Sequence, residues 1–408
     1  MKKTIKLALA AALTLGATSA FATNGATLIG MGAEARGMAG TGIGIAHGAE
    51  SALTNPALIT SVEKTEISFG GTLFMPDVTY GTVGGPSADS AADMSVIPEV
   101  SLATKINDNF YVGIGMWGTG GMGVDYRDAT PMAGTMQMVT NLQLMQFGVP
   151  LAYTTHGFSV AITPILQYGS LDINYDMDSN PSNGVMGMGV AQDLAFGYNI
   201  GLSYQIKGLT IGAIYKSRID MEYNGFSTMI QPFMNPGFIY TNNELSTPAE
   251  MGIGVSYSFS GNSIALDYKT IQWSDAKGYE DFEWDDQDVI SIGYEYATNN
   301  WAVRVGYNYA SSPITEQSGL YNNGVGLNGY TINMFNLLGF PGIVESHYAI
   351  GGTIAINDQT SLDLAFSYAP EVTETYTTGM MTANGFMTYG ITTTHSQTGA
   401  SAQLNFNF

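Results

Sequence analysis

The chain ends Ser401-Ala402-Gln403-Leu404-Asn405-Phe406-Asn407-Phe408, where apolar and polar residues alternate up to a C-terminal phenylalanine. Successive side chains of a β-strand point to opposite faces, so this alternation gives the strand one apolar and one polar face. The same two-residue period recurs in about fourteen segments, and strands with lipid on one face and water on the other are typical of outer-membrane barrels. The pattern therefore predicts an all-β fold, a transmembrane antiparallel β-barrel.

Residue parity assigns the two faces of each predicted strand. In the segment 197–206 the even positions are apolar and the odd positions are glycine or polar. In 209–223 the same rule places Ile219, Met221 and Tyr223 on the lipid side, opposite several charged residues. A Lys or Arg that faced lipid at the membrane midplane would be unfavourable by ~2 to 4 kcal/mol. Charges within the strands are therefore expected to face a partly polar barrel interior.

Short turns and long links alternate along the chain, as expected for a barrel with short periplasmic turns and longer external loops. A water-soluble β-sandwich would also show alternating strands, but it would not explain the terminal phenylalanine or this regular rhythm of connections. The fourteen strands are predicted near 65–75, 95–104, 110–117, 143–154, 158–171, 194–206, 209–223, 249–259, 263–273, 288–297, 301–309, 347–356, 361–369 and 399–408.

The first 22 residues have the features of a secretory leader. Lysines precede an apolar run at residues 7–15, and the segment ends in the small-residue site Ala20-Phe21-Ala22. The apolar run is too short for a membrane-spanning helix, which needs ~20 residues. We therefore predict that residues 1–22 are removed during export.

Composition and charge exclude several functions. Removing the three leader lysines leaves 10 basic residues against 34 acidic ones, a net charge of −24 that disfavours nucleic-acid binding. The absence of cysteine excludes disulfides and thiolate metal sites. The four histidines lack metal-ligand spacing, and the glycines at 40–44 lack the spacing of a dinucleotide loop. We expect no cofactor, no metal site and no enzymatic activity.

A glycine-rich segment precedes the predicted barrel. Residues 23–64 do not alternate, and the sequence Asn55-Pro56-Ala57 lies near their end. Three further motifs follow in order, Thr247-Pro248-Ala249-Glu250, Thr270-Ile271-Gln272-Trp273-Ser274 and Tyr309-Ala310-Ser311-Ser312-Pro313-Ile314. Through these motifs the chain resembles the FadL-type family of outer-membrane transporters for long-chain fatty acids and other hydrophobic molecules, including aromatic hydrocarbons.

The resemblance implies three parts: a leader at 1–22, an N-terminal plug (hatch) at 23–64 inside the lumen, and a 14-stranded barrel at 65–408. It implies a monomeric, passive channel of the bacterial outer membrane, surrounded by lipid, whose hatch rearranges to admit hydrophobic small molecules. Asn55, Pro56 and Ala57 match the hatch signature, either as a turn that fixes the hatch or as part of its gate. A structural or surface-receptor barrel without transport is the alternative, and a barrel-embedded lipase is a weaker third option.

Two links that should face the outside are unusually apolar. We predict that they form a hydrophobic capture groove, since clustered exposed apolar groups mark binding surfaces and flexible methionines adapt to varied shapes. A packed cap, or an anchor in lipopolysaccharide, would use the same side chains. The groove residues are Met186, Met188, Phe226, Met229, Ile230, Phe233 and Phe238.

Glycines in the third strand, Gly113, Gly115 and Gly118, suggest a bulge or bend, although glycine-rich turns are also common in barrels. The resemblance implies a kink here that opens the wall sideways, so that cargo enters the membrane directly. This route avoids returning buried CH₂ groups to water, which costs about 0.8 kcal/mol each.

Four basic residues are candidates for the lumen, where they would hold a cargo carboxylate or pair with neighbouring acids. They are Lys216, Arg218, Lys269 and Arg304. Many relatives carry an Asp and Arg pair before the strand near 347, where this chain reads Pro341-Gly342-Ile343-Val344-Glu345-Ser346-His347. The missing basic partner favours neutral hydrophobic cargo, and the choice between fatty acid and hydrocarbon stays open.

Overall fold

Fourteen antiparallel strands close into one barrel, in which the last strand pairs with the first. The computed structural model describes residues 23–177, 185–319, 321–382 and 385–408, so the predicted leader lies outside the described residues. In these ranges no helix is long and apolar enough to cross a membrane. The predicted fold class and strand number are confirmed.

The wall strands follow one another around the barrel in chain order. They are β1 (Thr65–Thr82), β2 (Ser95–Lys105), β3 (Phe110–Asp125), β4 (Val139–Gly148, resuming at Leu151–Thr155), β5 (Phe158–Tyr175), β6 (Ala191–Ile206), β7 (Leu209–Lys216), β8 (Ala249–Phe259), β9 (Asn262–Gln272), β10 (Gln287–Ala297), β11 (Trp301–Ala310), β12 (Ser346–Asn357), β13 (Thr360–Thr382) and β14 (Gly385–Asn407).

Short elements occupy the hatch and the external loops. The short strands are Thr23–Asn24, Thr27–Leu28, Ser87–Asp89 and Met186–Gly187. The α-helices are α1 (Gly32–Gly37), α2 (Ser51–Thr54), α3 (Phe226–Ile230) and α4 (Gly329–Leu338). Single 3₁₀ turns lie at Gly48–Glu50, Pro56–Ser61, Pro131–Ala133, Gln231–Phe233, Trp273–Asp275 and Glu280–Phe282.

Tight turns close one end of several strand pairs. The turn between β6 and β7, for example, consists of Lys207 and Gly208, with φ of 47° and 84°. A two-residue turn in which both φ angles are positive has a twist that matches the two strands of a hairpin. Glycine adopts the positive φ of the second residue readily. These turns fix the register of the wall.

The alternation read from the sequence sets the two faces of the wall. Ile253 on β8 is 63 % exposed on the outer surface, whereas Asp267 on the neighbouring strand is 3 % exposed and faces inward. Outward apolar side chains meet lipid, and inward polar ones are covered by the hatch. The predicted polar interior is therefore confirmed.

Several strand limits differ from the prediction. β7 ends at Lys216, and Ile219, Met221 and Tyr223 are buried on the inside, so their predicted lipid-facing positions are wrong. After Lys216 the chain turns over the lumen, and Ile219 packs near Gly197 on the inner face of β6. β1, β3, β13 and β14 are longer than predicted. Beyond the membrane the outer face of β13 and β14 meets water, so outward residues need not be apolar there, while the inner face stays covered, as at Tyr376 and Ile391.

Residues 23–62 are almost entirely buried within the barrel. Glycines on the inner wall allow this segment to lie directly on the strands: a Cβ on Gly212 would come 1.8 Å from the Ile43 carbonyl oxygen, and one on Gly306 would come 2.4 Å from the Met38 carbonyl carbon. We call residues 23–64 the hatch, and we keep the boundaries at 22 and 64 as a proposal.

Replacing Gly212→Ala should loosen the hatch without opening the barrel. The added methyl overlaps Ile43, and overpacking of this kind destabilises a site by about 1–3 kcal/mol. Hydrogen exchange at the Ile43 and Gly44 amides should then accelerate by roughly 5- to 150-fold. Ala213→Val, one residue along on the lipid side, is the matched control, and equal exchange in both variants would contradict the described seat.

Candidate transport site

A single wall carboxylate holds the glycine-rich loop of the hatch. Asp267 Oδ2 accepts hydrogen bonds from the backbone N–H groups of Gly42 at 2.7 Å and Ile43 at 2.8 Å, and Oδ1 accepts one from Gly44 at 3.2 Å. Successive backbone N–H groups form such cradles for anions, and bonds to a carboxylate are stronger than neutral ones. The glycine stretch that lacks dinucleotide-loop spacing therefore binds an internal carboxylate.

A buried arginine ties the first hatch helix to β2. Arg36 Nη1 donates to Glu99 Oε2 at 2.9 Å and to Thr72 Oγ1 at 2.6 Å, and its Nη2 also contacts Glu99. Glu99 additionally accepts from the Gly32 N–H at 3.0 Å. Both charged groups are buried, so breaking this pair would leave an uncompensated charge.

A second arginine ties the hatch to another part of the wall. Arg304 on β11 donates to Glu34 of the hatch at 2.8 Å and to Glu295 of β10 at 2.7 Å. Its remaining nitrogen donates to Thr353 Oγ1 at 2.7 Å. Arg304, one of the predicted lumen cations, thus lies in a network between hatch and wall.

The hatch signature also makes contacts with the wall. Asn55 Oδ1 accepts from the Ala57 N–H at 3.1 Å, and its Nδ2 donates to the carbonyl oxygens of Ile43 at 2.7 Å and Leu202 at 3.2 Å. Pro56 opens the 3₁₀ turn that follows. This geometry matches the turn interpretation of the signature, while a role in gating stays a prediction.

Two of the predicted lumen cations share one carboxylate. Glu250 Oε2 lies 2.9 Å from Lys269 Nζ and 3.4 Å from Lys216 Nζ, and all three side chains are largely buried. Two ammonium groups and one carboxylate leave one net positive charge. Arg218 lies elsewhere, near the external loops, where it pairs with Asp220 and donates to the Asp275 carbonyl.

Two small cavities lie beside this trio of charges. The first has a volume of about 40 Å³ and the second about 30 Å³, whereas an apolar cavity that holds benzene has about 150 Å³. Both cavities are bordered by Leu28 and Met31 of the hatch and by Lys216 and Glu250 of the wall. Both cavities are therefore too small for a molecule of the size of benzene.

The first cavity is amphipathic. Its charged side is formed by Lys216 and Glu250, and its aromatic side by Trp273 and Tyr279, whose rings lie 4.6 Å apart. Further apolar lining comes from the hatch, the wall and the loop after β7, with Leu28, Met31, Leu53, Leu142, Leu144, Ile219 and Leu245. The aromatic side was not predicted from the sequence, although Trp273 lies within one of the motifs.

The third strand is irregular next to the first cavity. Its pairing with β2 extends to the partners Glu99 and Trp117, and a bulge follows between Gly118 and Gly120. Among the described residues, β3 beyond this point pairs with β4 and contacts the hatch, where Thr27 stands opposite Gly120. Of the three predicted glycines, Gly118 lies at the bulge, while Gly113 and Gly115 lie in the regularly paired part.

The predicted capture groove is largely closed. Phe226, Met229 and Ile230 are buried, so their expected exposure is wrong. Phe233 packs edge-on against Phe335 of α4, with ring centroids 4.7 Å apart. Met186 and Met188 are partly buried against the same cluster. Outside it, Phe238 is 41 % exposed and its neighbour Ile239 is 80 % exposed.

Helix α4 covers these side chains and was missed in the sequence. A local signal existed, because Asn328 caps the helix by accepting a hydrogen bond from the Thr331 N–H, and asparagine is a preferred capping residue. The apolar residues Ile332, Phe335 and Leu338 also follow helical spacing. The external loops therefore form a packed cap in the described region.

The closed strand ring and its internal hatch define an outer-membrane β-barrel transport protein. Residues 8–320 match the family model described as outer membrane protein transport protein (OMPP1/FadL/TodX), so the chain belongs to this family. It is accordingly a protein of the bacterial outer membrane.

Curated relatives align over most of the chain. A long-chain fatty acid transport protein of Escherichia coli O6:H1 is 26 % identical in an alignment 422 positions long, gaps included, and the alignment covers 89 % of this chain and 90 % of the relative. A 47 kDa outer membrane protein of Pasteurella multocida is 24 % identical over 385 residues, covering 80 % and 84 %.

Solved structures share the fold. A Pseudomonas aeruginosa FadL homologue superposes with a TM-score of 0.69 at 16 % identity, covering 94 % of this chain and 100 % of its own. The P. putida toluene transporter TodX superposes with a TM-score of 0.65 at 16 % identity, covering 93 % and 99 %.

The contact between His47 and Glu34 inside the hatch depends on pH and offers a test of how the hatch is held in the barrel. Burial lowers the pKa of His47, but the adjacent Glu34 carboxylate raises it by more, so the net pKa lies above its usual value. Burial likewise opposes ionisation of Glu34, yet Arg304 and His47 hold its pKa at about 2.

A histidine with a raised folded-state pKa stabilises fully below its unfolded value of about 6.5, and loses this effect as pH rises through the folded value. Hatch amides should therefore exchange faster at pH 9 than at pH 6 after correction for intrinsic exchange. His47→Gln should reduce this excess pH dependence, measured against amides of β9. An identical pH profile in both proteins would refute the proposed contact.

Proposed function

We propose that the chain is a passive channel that admits hydrophobic molecules carrying a polar or anionic end, with long-chain carboxylates as the preferred class. This proposal is based on the two cavities, which are both lined by Leu28 and Met31 of the hatch and by the charged Lys216 and Glu250 of the wall. A cavity with apolar and aromatic walls and a few placed polar groups is the usual form of a small-molecule site. Relatives named for fatty acids and for toluene support hydrophobic cargo.

Lys216 is the proposed contact for the cargo head group. It borders both cavities, and with Lys269 and Glu250 it forms a group of net positive charge. The nearby Asp267 is engaged by hatch amides. Arg304 is excluded from this role because three hatch and wall groups already occupy its donors. Because Lys216, Lys269 and Glu250 supply a basic group for a carboxylate, we favour anionic cargo although the basic partner near residue 347 is missing.

The proposed path begins at the cap and ends beside β3. Phe238 and Ile239 would give the first apolar contact, since they are exposed. Cargo would then pass the cap and displace the hairpin formed by Thr23–Asn24 and Thr27–Leu28. The bulge at Gly118 and the end of β2–β3 pairing support release sideways into lipid, which spares long alkyl chains contact with water.

Uptake by proteoliposomes tests both the channel and its head-group contact. Labelled palmitate and labelled toluene are compared in vesicles with and without the protein. Lys216→Met preserves length and removes the charge, and a lost charge-assisted hydrogen bond is worth about 1.5–3 kcal/mol. Half-saturation for palmitate should therefore rise roughly 10- to 150-fold, whereas toluene uptake should change less than about twofold.

Lys207→Met, in an exposed periplasmic turn, is the control and should leave both cargoes unaffected. An equal loss for palmitate and toluene would assign Lys216 a structural role only. Absence of protein-dependent uptake for either cargo would favour the non-transporting receptor barrel, a function that the packed external cap would also suit.

A further inference from the structure

The carboxyl group of Glu50 is buried in the hatch with only one of its oxygens hydrogen-bonded. Glu50 ends the 3₁₀ turn Gly48–Glu50, and the residue is 4 % exposed. Its Oε1 accepts a hydrogen bond from Gln403 Nε2 on β14. Its Oε2 has no hydrogen-bond partner within the described part of the chain. One oxygen of this group is therefore buried without compensation.

The nearest backbone donors bind other groups, so they do not satisfy this oxygen. A Cβ on Gly32 would come 1.6 Å from Glu50 Oε2, which places the oxygen against the start of α1. The Gly32 N–H donates to Glu99 Oε2 instead, at 3.0 Å. The Ala33 N–H donates to Gln403 Oε1 at 3.3 Å, which orients the Gln403 amide with its Nε2 towards Glu50.

Other carboxyl groups surround Glu50, and they come from α1 and from three wall strands. They are Glu34, Glu66 of β1, Glu99 of β2 and Asp363 of β13. The cations of this region pair with these groups and with Glu295, since Arg36 contacts Glu99, Arg304 contacts Glu34, Glu295 and Asp363, and His47 contacts Glu34. Helix α2 and the turn Pro56–Ser61 also pack here and carry no charged side chain. Among the described residues, Glu50 therefore has acidic neighbours and no cation of its own.

The neutral acid is the form of Glu50 that this environment favours. An isolated buried carboxylate is far less favourable than a buried neutral group that lacks one hydrogen bond, and it takes up a proton instead. Burial raises the pKa of Glu50 well above its usual value, and repulsion by the surrounding carboxylates raises it further. With the proton on Oε2, the carbonyl oxygen Oε1 still accepts the hydrogen bond from Gln403.

We propose that Glu50 is a proton-binding site that locks the turn Gly48–Glu50 between α1 and β14, and that loss of this proton releases the turn. On release the proton passes to solvent and the carboxylate becomes hydrated. The turn directly precedes α2 and Asn55-Pro56-Ala57, so its release loosens the segment that carries the hatch signature. The proton thus acts as a ligand of the closed hatch, which weakens as the medium becomes less acidic. The proposal concerns how the hatch is held and does not depend on the identity of the cargo.

The pH window from 5 to 6 isolates this site from His47. A released Glu50 has an unperturbed pKa of about 4.3, so its release in this window sets one proton free. A carboxyl whose pKa is raised in the folded state stabilises that state fully below about 4.3 and loses this effect as pH rises through the folded value. Linkage of one proton corresponds to about a tenfold loss of protection per pH unit. His47 is largely protonated in both states below about 6.5, so it adds little slope.

Hydrogen exchange at the Ala49 and Asn55 amides, corrected for intrinsic exchange, measures this loss. Both amides are hydrogen-bonded in the closed hatch. Glu50→Gln keeps the shape and has no proton to lose, so its protection should fall about tenfold less than that of the parent between pH 5 and pH 6. The other carboxyl groups remain in both proteins, and the difference between the proteins therefore reports Glu50 alone. Glu63→Gln, the same change at an exposed hatch position, is the matched control and should keep the parent slope.

Infrared difference spectroscopy tests the proton itself. At pH 7 the parent spectrum should contain the C=O band of a protonated carboxyl group that is absent from Glu50→Gln. Glu50→Met removes the acid without adding an amide, and it should flatten the pH dependence of exchange in the same way. Heat-modified gel mobility verifies that each barrel has folded.

Three results would overturn the proposal. They are an equal pH dependence in the parent and in both Glu50 variants, a parent spectrum without the protonated-carboxyl band, and an equal flattening of the slope in Glu63→Gln. The parent spectrum requires no variant to fold. No cargo enters either measurement, so a failure of uptake in the transport assay would leave these results unaffected, and the reverse also holds.

Discussion

Charge pairing between hatch and wall is the constraint on which the closed barrel depends. The hatch carries Arg36 and Glu34 into a lumen that its own bulk keeps nearly dry, and a charge buried without a partner is strongly destabilising. The wall supplies the partners, Glu99 for one and Arg304 for the other. Asp267 completes the arrangement by accepting three backbone N–H groups. These contacts fix where the hatch lies and what space remains beside it.

The same contacts explain how a sealed barrel can open. When these polar groups separate, water can form hydrogen bonds with them. A hatch held by interlocking apolar side chains would instead expose those side chains to water when it opened. The inner-wall glycines Gly212, Gly254 and Gly306 present a smooth surface to the hatch backbone. The two cavities share Leu28 and Met31 as lining residues, so withdrawal of that part of the hatch would enlarge both. On the proposed route, a local movement of the hairpin would therefore open the site without deformation of the barrel.

The architecture was predictable because its main signal is local. A period of two residues reports lipid on one face, so strand number, strand order and most inward positions could be derived from short segments. The signal failed where the membrane ends: Tyr223 lies beyond β7 and packs inward, and β13 continues to Thr382 in water. Glycine content and the Asn55-Pro56-Ala57 motif located the hatch, but not its contacts.

The site depended on information that a single sequence does not display. Glu99 and Arg36 are 63 positions apart, and Gly42 and Asp267 are 225 apart, so neither pairing has a local pattern. Of the four predicted lumen cations, Lys216 and Lys269 border a cavity and Arg304 lies between hatch and wall, whereas Arg218 lies near the external loops. The exposure of the external loops was wrongly predicted because α4 covers the apolar face of α3, and the two helices are more than 90 residues apart in the chain.

A reversible lock on the hairpin tests the central claim that the hatch must move. Thr27→Cys with Gly120→Cys places the only two cysteines of the chain at opposed positions of hatch and wall. Ser258→Cys with Ser263→Cys, opposed within the wall, is the control pair. Oxidation should reduce palmitate uptake to below about a tenth of the reduced rate in the first pair only, with recovery on reduction. Equal uptake by the oxidised and reduced forms of the first pair would contradict the movement.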